Sequence, residues 1–207
     1  MTLDHLVYAT PDLDATAAEL ERLLGVRAAT GGRHPGLGTR NRLIGLGGRG
    51  YLELIGPDPE QEEPAAPRWF RIDELTGPAL VGWAVTVEDL DAAVARARAR
   101  GYDPGEPREM SRRAPSGDLL TWRLTPPRHA GHGGLVPFLI DWGTTRHPTA
   151  SGLPQAELTS LTLAHPHPAR LRADLESLGA PVPPLVQEPT PHLTATLTGP
   201  SGQAVLT

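Results

Sequence analysis

The segment that decides the fold covers residues 3–24, LDHLVYATPDLDATAAELERLL, and its pattern returns at residues 81–97, VGWAVTVEDLDAAVARA. In the first copy, an apolar strand at residues 3–9 precedes leucine and alanine residues at helical spacing. Gly25 follows the last leucine, as glycine commonly does at a helix end. Both copies contain the residues DLDA, at positions 12–15 and 89–92. Each copy therefore predicts a strand followed by a helix.

Three more strands are predicted after each helix. In the first module, residues 1–56, they cover 27–34, 42–46 and 50–55, the last two joined by a glycine-rich turn. The second module, residues 78–142, repeats this order with strands at 107–113, 119–124 and 135–141. A third copy at residues 155–207 has a strand at 158–164, a helix at 168–178, and strands at 185–188, 193–198 and 203–206. This repetition predicts an α+β fold built from β-α-β-β-β modules.

The composition excludes several kinds of chemistry. The 207 residues contain no cysteine, which excludes thiol nucleophiles, iron–sulfur clusters and disulfides. All 19 basic residues are arginine, which excludes Schiff bases formed on lysine. The net charge of −5 gives no reason to expect nucleic acid. No apolar run is long enough to cross a membrane and no secretory signal is present, so we expect a cytoplasmic protein.

The modules, with a histidine in the first strand and a glutamate in the last, resemble the vicinal oxygen chelate superfamily and in particular its glyoxalase-like branch. The likeness is carried over residues 3–148 by these segments: LDHLV (3–7), GRHPG (32–36), GTRN (38–41), YLELI (51–55), SRR (111–113), WRLTPP (122–127) and PFLIDWG (137–143). It implies that modules 1–56 and 78–142 pair into one cupped sheet, forming a domain at 1–148. The third module, 155–207, is then C-terminal.

The resemblance also implies a metal site with two ligands from each module. His5 and Glu53 match the first pair. The second pair has no match, because the first-strand position is Gly82 or Trp83 and the last-strand position falls among the apolar residues 138–140. We therefore expect a divalent metal to be weakly held or absent.

His5 and Glu53 are the predicted catalytic residues. Strand alternation places each of them on a face with apolar neighbours, where a polar group is seldom kept unless it is paired or functional. The alternative is a hydrogen-bonded pair with a structural role only. Because burial disfavours a charged carboxylate, Glu53 is the predicted general base or metal ligand.

Four other residues are predicted to contact the substrate. His34 lies in a segment whose glycines permit close backbone approach to a ligand and, with His5 and Glu53, would form a two-histidine, one-carboxylate metal set; the alternative is an exposed loop residue. Arg112 and Trp122 flank a predicted turn at 114–117 and suit a carboxylate-bearing or planar substrate. Taken separately, Arg112 is also explained as surface charge and Trp122 as a core residue. Asn41 is a cavity residue by the resemblance. The remaining histidines (His129, His132, His147, His165, His167 and His192) lie beside glycine or proline in predicted loops and receive no function.

Two functions follow as hypotheses. The first is a glyoxalase-like enzyme, of the lyase, isomerase or dioxygenase kinds found in the superfamily, acting on a small polar metabolite through metal-assisted or acid–base chemistry. The second is a non-catalytic protein that sequesters a small molecule in the same cavity. The expected partner is a small-molecule ligand, and a homodimer formed through sheet edges is left open.

Overall fold

The structure, a computed structural model, describes residues 1–114, 117–127 and 132–207. Its first eight strands are β1 (Thr2–Ala9), β2 (Ala29–His34), β3 (Thr39–Gly45), β4 (Tyr51–Pro57), β5 (Ala79–Thr86), β6 (Arg108–Arg113), β7 (Leu119–Leu124) and β8 (Phe138–Asp141). They form one curled sheet that closes on itself in the order β1-β4-β3-β2-β6-β7-β8-β5. The α+β fold with two modules in a cupped sheet is confirmed.

Each module has the same internal pairing. In the first, β1 lies parallel to β4, with His5 opposite Tyr51 and Val7 opposite Glu53. In the second, β5 lies parallel to β8, with Ala84 opposite Phe138. The modules meet where β1 runs antiparallel to β5, and the sheet closes at the single pair Arg33–Arg113 between β2 and β6. This arrangement puts the inner faces of both modules around one space.

Two helices cover the outside of the curled sheet, α1 (Leu13–Leu24) and α2 (Leu90–Ala99). The repeated DLDA motif is their common start. Asp12 and Asp89 each accept a hydrogen bond from the backbone N–H three residues later, at 3.0 and 2.9 Å. A side chain that accepts from these free N–H groups is what a helix N-terminus requires. Gly25 ends α1 with a φ of 69°, in the left-handed region that favours glycine.

The C-terminal part forms a separate four-stranded sheet with one helix. Its elements are β9 (Glu157–His165), α3 (Pro168–Leu178), β10 (Leu185–Gln187), β11 (His192–Gly199) and β12 (Gly202–Leu206), which keeps the predicted β-α-β-β-β order. The sheet order is β10-β9-β11-β12, so the last strand lies at an edge instead of beside the first. The pairing of strands thus differs from that of the first two modules.

The second sheet packs against the barrel and shares its hydrophobic core. Leu197 and Leu206 belong to one buried cluster with Leu20 and Leu24 of α1. The backbone N–H of Leu80 donates to the carbonyl of Thr207 at 2.8 Å. The proposed boundaries at 148 and 155 stay a prediction, since this core runs across both parts.

Some boundaries differ from those predicted. β3 begins at Thr39, three residues before the predicted start, which places Asn41 inside a strand. A 3-10 helix, Trp69–Glu74, was not predicted. It follows a proline-rich segment at residues 57–67. Pro115, Ser116 and His129, which the predicted turn and loop include, lie outside the described residues. No helix within the described part of the chain is long and apolar enough to cross a membrane.

Candidate active site

All six residues predicted to act at a site line one cavity inside the curled sheet. They are His5, His34, Asn41, Glu53, Arg112 and Trp122. The first module supplies the histidines, the amide and the carboxylate, and the second supplies the arginine and the tryptophan. The cavity is partly open to solvent and has a volume of about 60 Å³. Its free space suits a small ligand.

A β-bulge in β1 allows two neighbouring residues to contribute to the site. The register against β5 shifts between Leu3 and His5, so Asp4 has no partner opposite it. Asp4 is fully buried, and its Oδ1 lies 2.7 Å from His5 Nδ1. Bulges commonly re-aim a side chain next to a functional site. Here the bulge brings a carboxylate behind the ring of His5.

Asp4 is surrounded by donors. Its Oδ2 accepts from Thr86 Oγ1 at 2.6 Å and from Trp142 Nε1 at 3.0 Å, and lies 3.2 Å from His147 Nε2. Burial alone would raise the pKa of Asp4, but hydrogen bonds from His147, His5 and Thr86 and attraction to His5 hold it well below the usual value. Asp4 is therefore an anion that fixes the proton of His5 on Nδ1 and turns Nε2 towards the cavity.

Glu53 is held by an amide and flanked by two histidines. Asn41 Nδ2 donates to Glu53 Oε1 at 2.6 Å. His34 Nε2 lies 3.8 Å from Oε1 and His5 Nε2 lies 3.8 Å from Oε2. The side chain of Glu53 is only 11% exposed, so it is largely shielded from water. The predicted close grouping of His5, His34 and Glu53 is present in space.

His34 is buried, unlike the exposed loop residue of the alternative interpretation. Its Nδ1 lies 3.0 Å from Thr39 Oγ1, and its Nε2 lies 3.5 Å from Asn41 Nδ2. Burial lowers the pKa of His34, an effect that the nearby Glu53 partly offsets. A neutral ring that donates from Nδ1 and accepts at Nε2 satisfies both contacts.

Two glycines in β2 make this packing fit. The backbone N–H of Gly32 donates to Asn41 Oδ1 at 2.8 Å, which sets the amide so that its NH₂ group faces Glu53. A Cβ on Gly31 would lie 2.0 Å from that same oxygen. A Cβ on Gly32 would lie 2.4 Å from the carbonyl oxygen of Arg113. The glycines permit a close approach of neighbouring strands, whereas the sequence suggested a close approach of a ligand.

Arg112 and Tyr51 border the cavity with side chains for which the described structure shows no hydrogen bond. Arg112 is 5% exposed, yet it has no hydrogen bond or ion pair in the described structure. Burial lowers its pKa, and Tyr51 and Glu53 partly offset that effect. Burial, with Asp4 and Glu53 nearby, raises the pKa of Tyr51 well above 10.0, so its hydroxyl keeps the proton. Both groups are donors that border the cavity.

Aromatic side chains form the remaining walls. Trp122 packs on Trp142 with ring centres 5.2 Å apart, and His5 stacks on Tyr51 at 4.8 Å. The register of β6 and β7 puts Met110 opposite Trp122, and Arg112 two residues further on the same face, as predicted. Phe70 enters from the 3-10 helix with a φ of 61°, a backbone conformation uncommon for residues other than glycine. Such conformations occur preferentially at functional sites.

The residues present do not fit a four-ligand metal site. The inner positions of the second module are Gly82, Phe138 and Ile140, which offer no donor atom, whereas Trp83 and Leu139 belong to the outer core. In the first module, the Asn41 amide already donates to Glu53. Across the described residues, no group of three or more histidine, aspartate or glutamate side chains has an arrangement that could hold a metal ion. Because this covers His5, His34 and Glu53, metal binding by these three residues requires their side chains to rearrange and stays a prediction.

Asp4, Tyr51 and His147 contribute to the site but were not singled out in the sequence. Asp4 directly precedes His5, and Tyr51 lies two residues before Glu53 in the same strand. This closeness in sequence to the predicted residues is the signal that could have identified them. His147 was expected in a loop without a role, but it is buried against Asp4. His165 and His192, also expected in loops, lie in strands β9 and β11.

Comparisons with known proteins agree with this architecture. A family model described as the glyoxalase-like domain matches residues 3–179. A hypothetical protein from Staphylococcus aureus has a TM-score of 0.67 at 14% identity, over 99% of this chain and 84% of that one. A search of curated proteins found no match.

Methylmalonyl-CoA epimerases are also similar in structure. The enzyme from Mycobacterium tuberculosis has a TM-score of 0.45 at 23% identity, over 72% of this chain and 91% of that one. A single-residue variant of the Streptomyces coelicolor enzyme has a TM-score of 0.47 at 25% identity, over 72% and 99%. These likenesses give no information about the substrate of this chain.

Proposed function

The chain belongs to the glyoxalase-like domain family, and on this premise we propose that it is an enzyme acting on a small polar metabolite by acid–base chemistry, with Glu53 as the general base. The observation that carries the proposal is the placement of Glu53. Glu53 is buried, with 8% of the residue exposed, and its carboxylate borders a cavity with apolar walls, where Asn41 holds it and two histidines flank it at 3.8 Å. Buried ionisable groups of this kind are concentrated at functional sites.

The reaction class that suits this arrangement is removal of a proton from a carbon next to a carbonyl group. Glu53 takes the proton, the electron pair of the C–H bond forms the enolate, and the negative charge moves to the carbonyl oxygen. The Tyr51 hydroxyl is a donor available to that oxygen, because it carries a proton and borders the same cavity. When the proton on Glu53 has been replaced by one from solvent, its return to the same carbon completes an exchange; its delivery to another carbon or to the opposite face completes an isomerisation.

His5 and Asp4 support the base. With Nδ1 facing Asp4, His5 presents Nε2 at 3.8 Å from Glu53 Oε2. In the neutral ring this nitrogen accepts the proton that Glu53 has taken, after a movement of less than about 1 Å to hydrogen-bond distance. Asp4 is a positioning residue in this scheme, since it contacts His5 and not the cavity.

The proposal is tested by hydrogen–deuterium exchange at carbon. Pyruvate, 2-oxobutanoate and methylglyoxal are incubated with the protein in D₂O, and loss of their C–H signals is followed by proton NMR. We expect the wild type to accelerate exchange of at least one probe and Glu53→Gln to lower that rate by about 100-fold or more. Glu109→Gln, an exposed glutamate on β6, is the matched control and should exchange at the wild-type rate.

Two results would contradict the proposal. A folded Glu53→Gln variant with the wild-type exchange rate would remove Glu53 from the chemistry. Saturable binding of a probe by the wild type without any exchange would favour sequestration, the second function, which the incomplete metal set also suits.

A further inference from the structure

Arg112 is charged and buried, and it has no hydrogen-bond or ion-pair partner among the described residues. The residue is 5% exposed, and no described carboxylate contacts its guanidinium. Two arginines elsewhere in the chain are paired: Arg68 contacts Glu63 and Asp73, and Arg98 contacts Asp103 and Glu106. Arg112 therefore differs from these in facing a cavity instead of a protein anion.

An unpaired buried charge costs free energy in the empty protein. Removing a charged group from water is unfavourable unless a partner or hydrogen bonds compensate. Glu53, the carboxylate that influences Arg112, is already bound by Asn41 and does not reach hydrogen-bond distance of it. The compensation that the protein lacks is an anion inside the cavity.

We infer that the substrate is a small carboxylic acid whose carboxylate binds to Arg112, an inference that rests on the proposed function of the same site. The planar guanidinium presents paired N–H donors that match the two oxygens of a carboxylate. Arg112 comes from the second module and Glu53 from the first, so the carboxylate and the reacting carbon lie towards different walls.

The size and lining of the cavity restrict the rest of the molecule. The volume of about 60 Å³ suits a short molecule, and the walls of the cavity include Phe70, Trp122 and Ile140 beside Arg112 and Glu53. A short chain with one carbonyl group and one carboxylate fits this combination of charge, size and apolar walls. A 2-oxo acid of three to four carbons is the class of compound that the cavity favours.

The experiment measures binding separately from turnover. Calorimetry with pyruvate, 2-oxobutanoate and the neutral ester methyl pyruvate is carried out on wild type, Glu53→Gln, Arg112→Met and Arg113→Met. We expect both acids to bind wild type and Glu53→Gln more tightly than the ester. Arg112→Met should weaken binding of the acids by about 10- to 100-fold. Arg113→Met, next to it but exposed, should bind like the wild type.

A stability measurement guards against misfolding of the variant. Because Arg112 is an unpaired buried charge, Arg112→Met should melt at a temperature equal to or above that of the empty wild type. A lower melting temperature together with unchanged acid binding would show a structural arginine and overturn the inference. Equal binding of acid and ester, no saturable binding of either acid, or preferential binding of inorganic phosphate would also overturn it. Acid binding that depends on Arg112 without C–H exchange would instead contradict only the proposed base.

Discussion

At the scale of single residues, Asn41 holds Glu53 more closely than either histidine does. Its amide lies 2.6 Å from the carboxylate, against 3.8 Å for both imidazoles. The other end of the amide is fixed by Gly32. The proposed base is thus oriented by a neutral residue, which leaves both histidine rings and the second carboxylate oxygen open to changes during a reaction.

His34 provides a prediction about pH. Its folded pKa lies below 6.5 because the ring is buried, so the unfolded chain binds a proton more readily. Stability is therefore complete above pH 6.5 and falls as the pH drops from there towards the folded pKa, by at most about 1.4 kcal/mol for each pH unit. His34→Gln removes this titration, and we expect its stability to fall less between pH 7 and 5.5.

Urea unfolding at several pH values in this range measures the effect. The slope of unfolding free energy against pH should be smaller for His34→Gln than for wild type. His192→Gln, a more exposed histidine in β11, serves as the control. Identical slopes for wild type and His34→Gln would show that the ring is protonated equally in the folded and unfolded chains.

The sequence predicted the residues whose position follows from strand alternation. His5 and Glu53 face the cavity because every second residue of a strand shares a face, and Arg112 and Trp122 follow the same rule. Asp4 breaks that rule, since the bulge after Leu3 turns two consecutive residues to the inside. A bulge depends on the partner strand, β5, and alternation within one segment does not reveal it.

At the scale of elements, β2 owes its position to glycine. Gly31 and Gly32 lie where the register between β2 and β3 shifts. Asn41 packs so close to Gly31 that no side chain fits at that position. We expect Gly31→Ala to push Asn41 away from Glu53 and to destabilise the protein by about 1–3 kcal/mol. Its C–H exchange rate should fall as well, because Glu53 loses its orienting donor.

Gly77→Ala is the matched control for this change. A Cβ at Gly77 meets nothing within 4 Å, so its stability should stay close to that of the wild type. Chemical denaturation of both variants, followed by the exchange assay, separates the two cases. If Gly31→Ala kept the stability and exchange rate of the wild type, β2 and β3 would be able to move apart without a loss of folding free energy, and the prediction would be wrong.

The predicted elements were those with local signals, and the missed features depend on distant contacts. Helices α1 and α2 follow from their aspartate caps and α3 from its apolar spacing. The 3-10 helix at residues 69–74 packs over the cavity, and Phe70 and Arg71 in it have left-handed backbone conformations. Because neither residue is a glycine, the sequence gives no local signal for these conformations. The order of elements along the chain likewise does not determine which strands pair in the C-terminal sheet, because pairing depends on contacts between distant segments.

At the scale of the whole molecule, the two modules contribute unequal chemistry to one cavity. The first supplies a carboxylate, two histidines and an amide, and the second supplies a cation and aromatic walls. A symmetrical metal site needs the same donors from both modules, and the second has apolar residues at those positions. The duplicated fold thus has a similar backbone in both modules around an asymmetric pocket. Under the proposed function, proton transfer belongs to the first module and anion binding to the second.

The C-terminal sheet and the barrel are expected to unfold together because they share a core. Leu206 on β12 is 2% exposed and packs with Leu20 and Leu24 of α1, whereas its neighbour Val205 is 62% exposed. All four tryptophans precede residue 143 and lie in the barrel part of the chain, with Trp83 in the shared core. Leu206→Ala should lower the unfolding free energy seen by tryptophan fluorescence by about 2–5 kcal/mol, although the change lies in the other sheet.

Val205→Ala, on the exposed face of the same strand, should change that value by no more than about 0.5 kcal/mol. Far-ultraviolet circular dichroism, which reports on both sheets, should give the same urea midpoint as fluorescence in each variant. Two separate midpoints, with the fluorescence of Leu206→Ala unchanged, would show that the C-terminal sheet unfolds on its own. Coincident midpoints would show that the two sheets unfold as one unit, as their shared packing on α1 predicts.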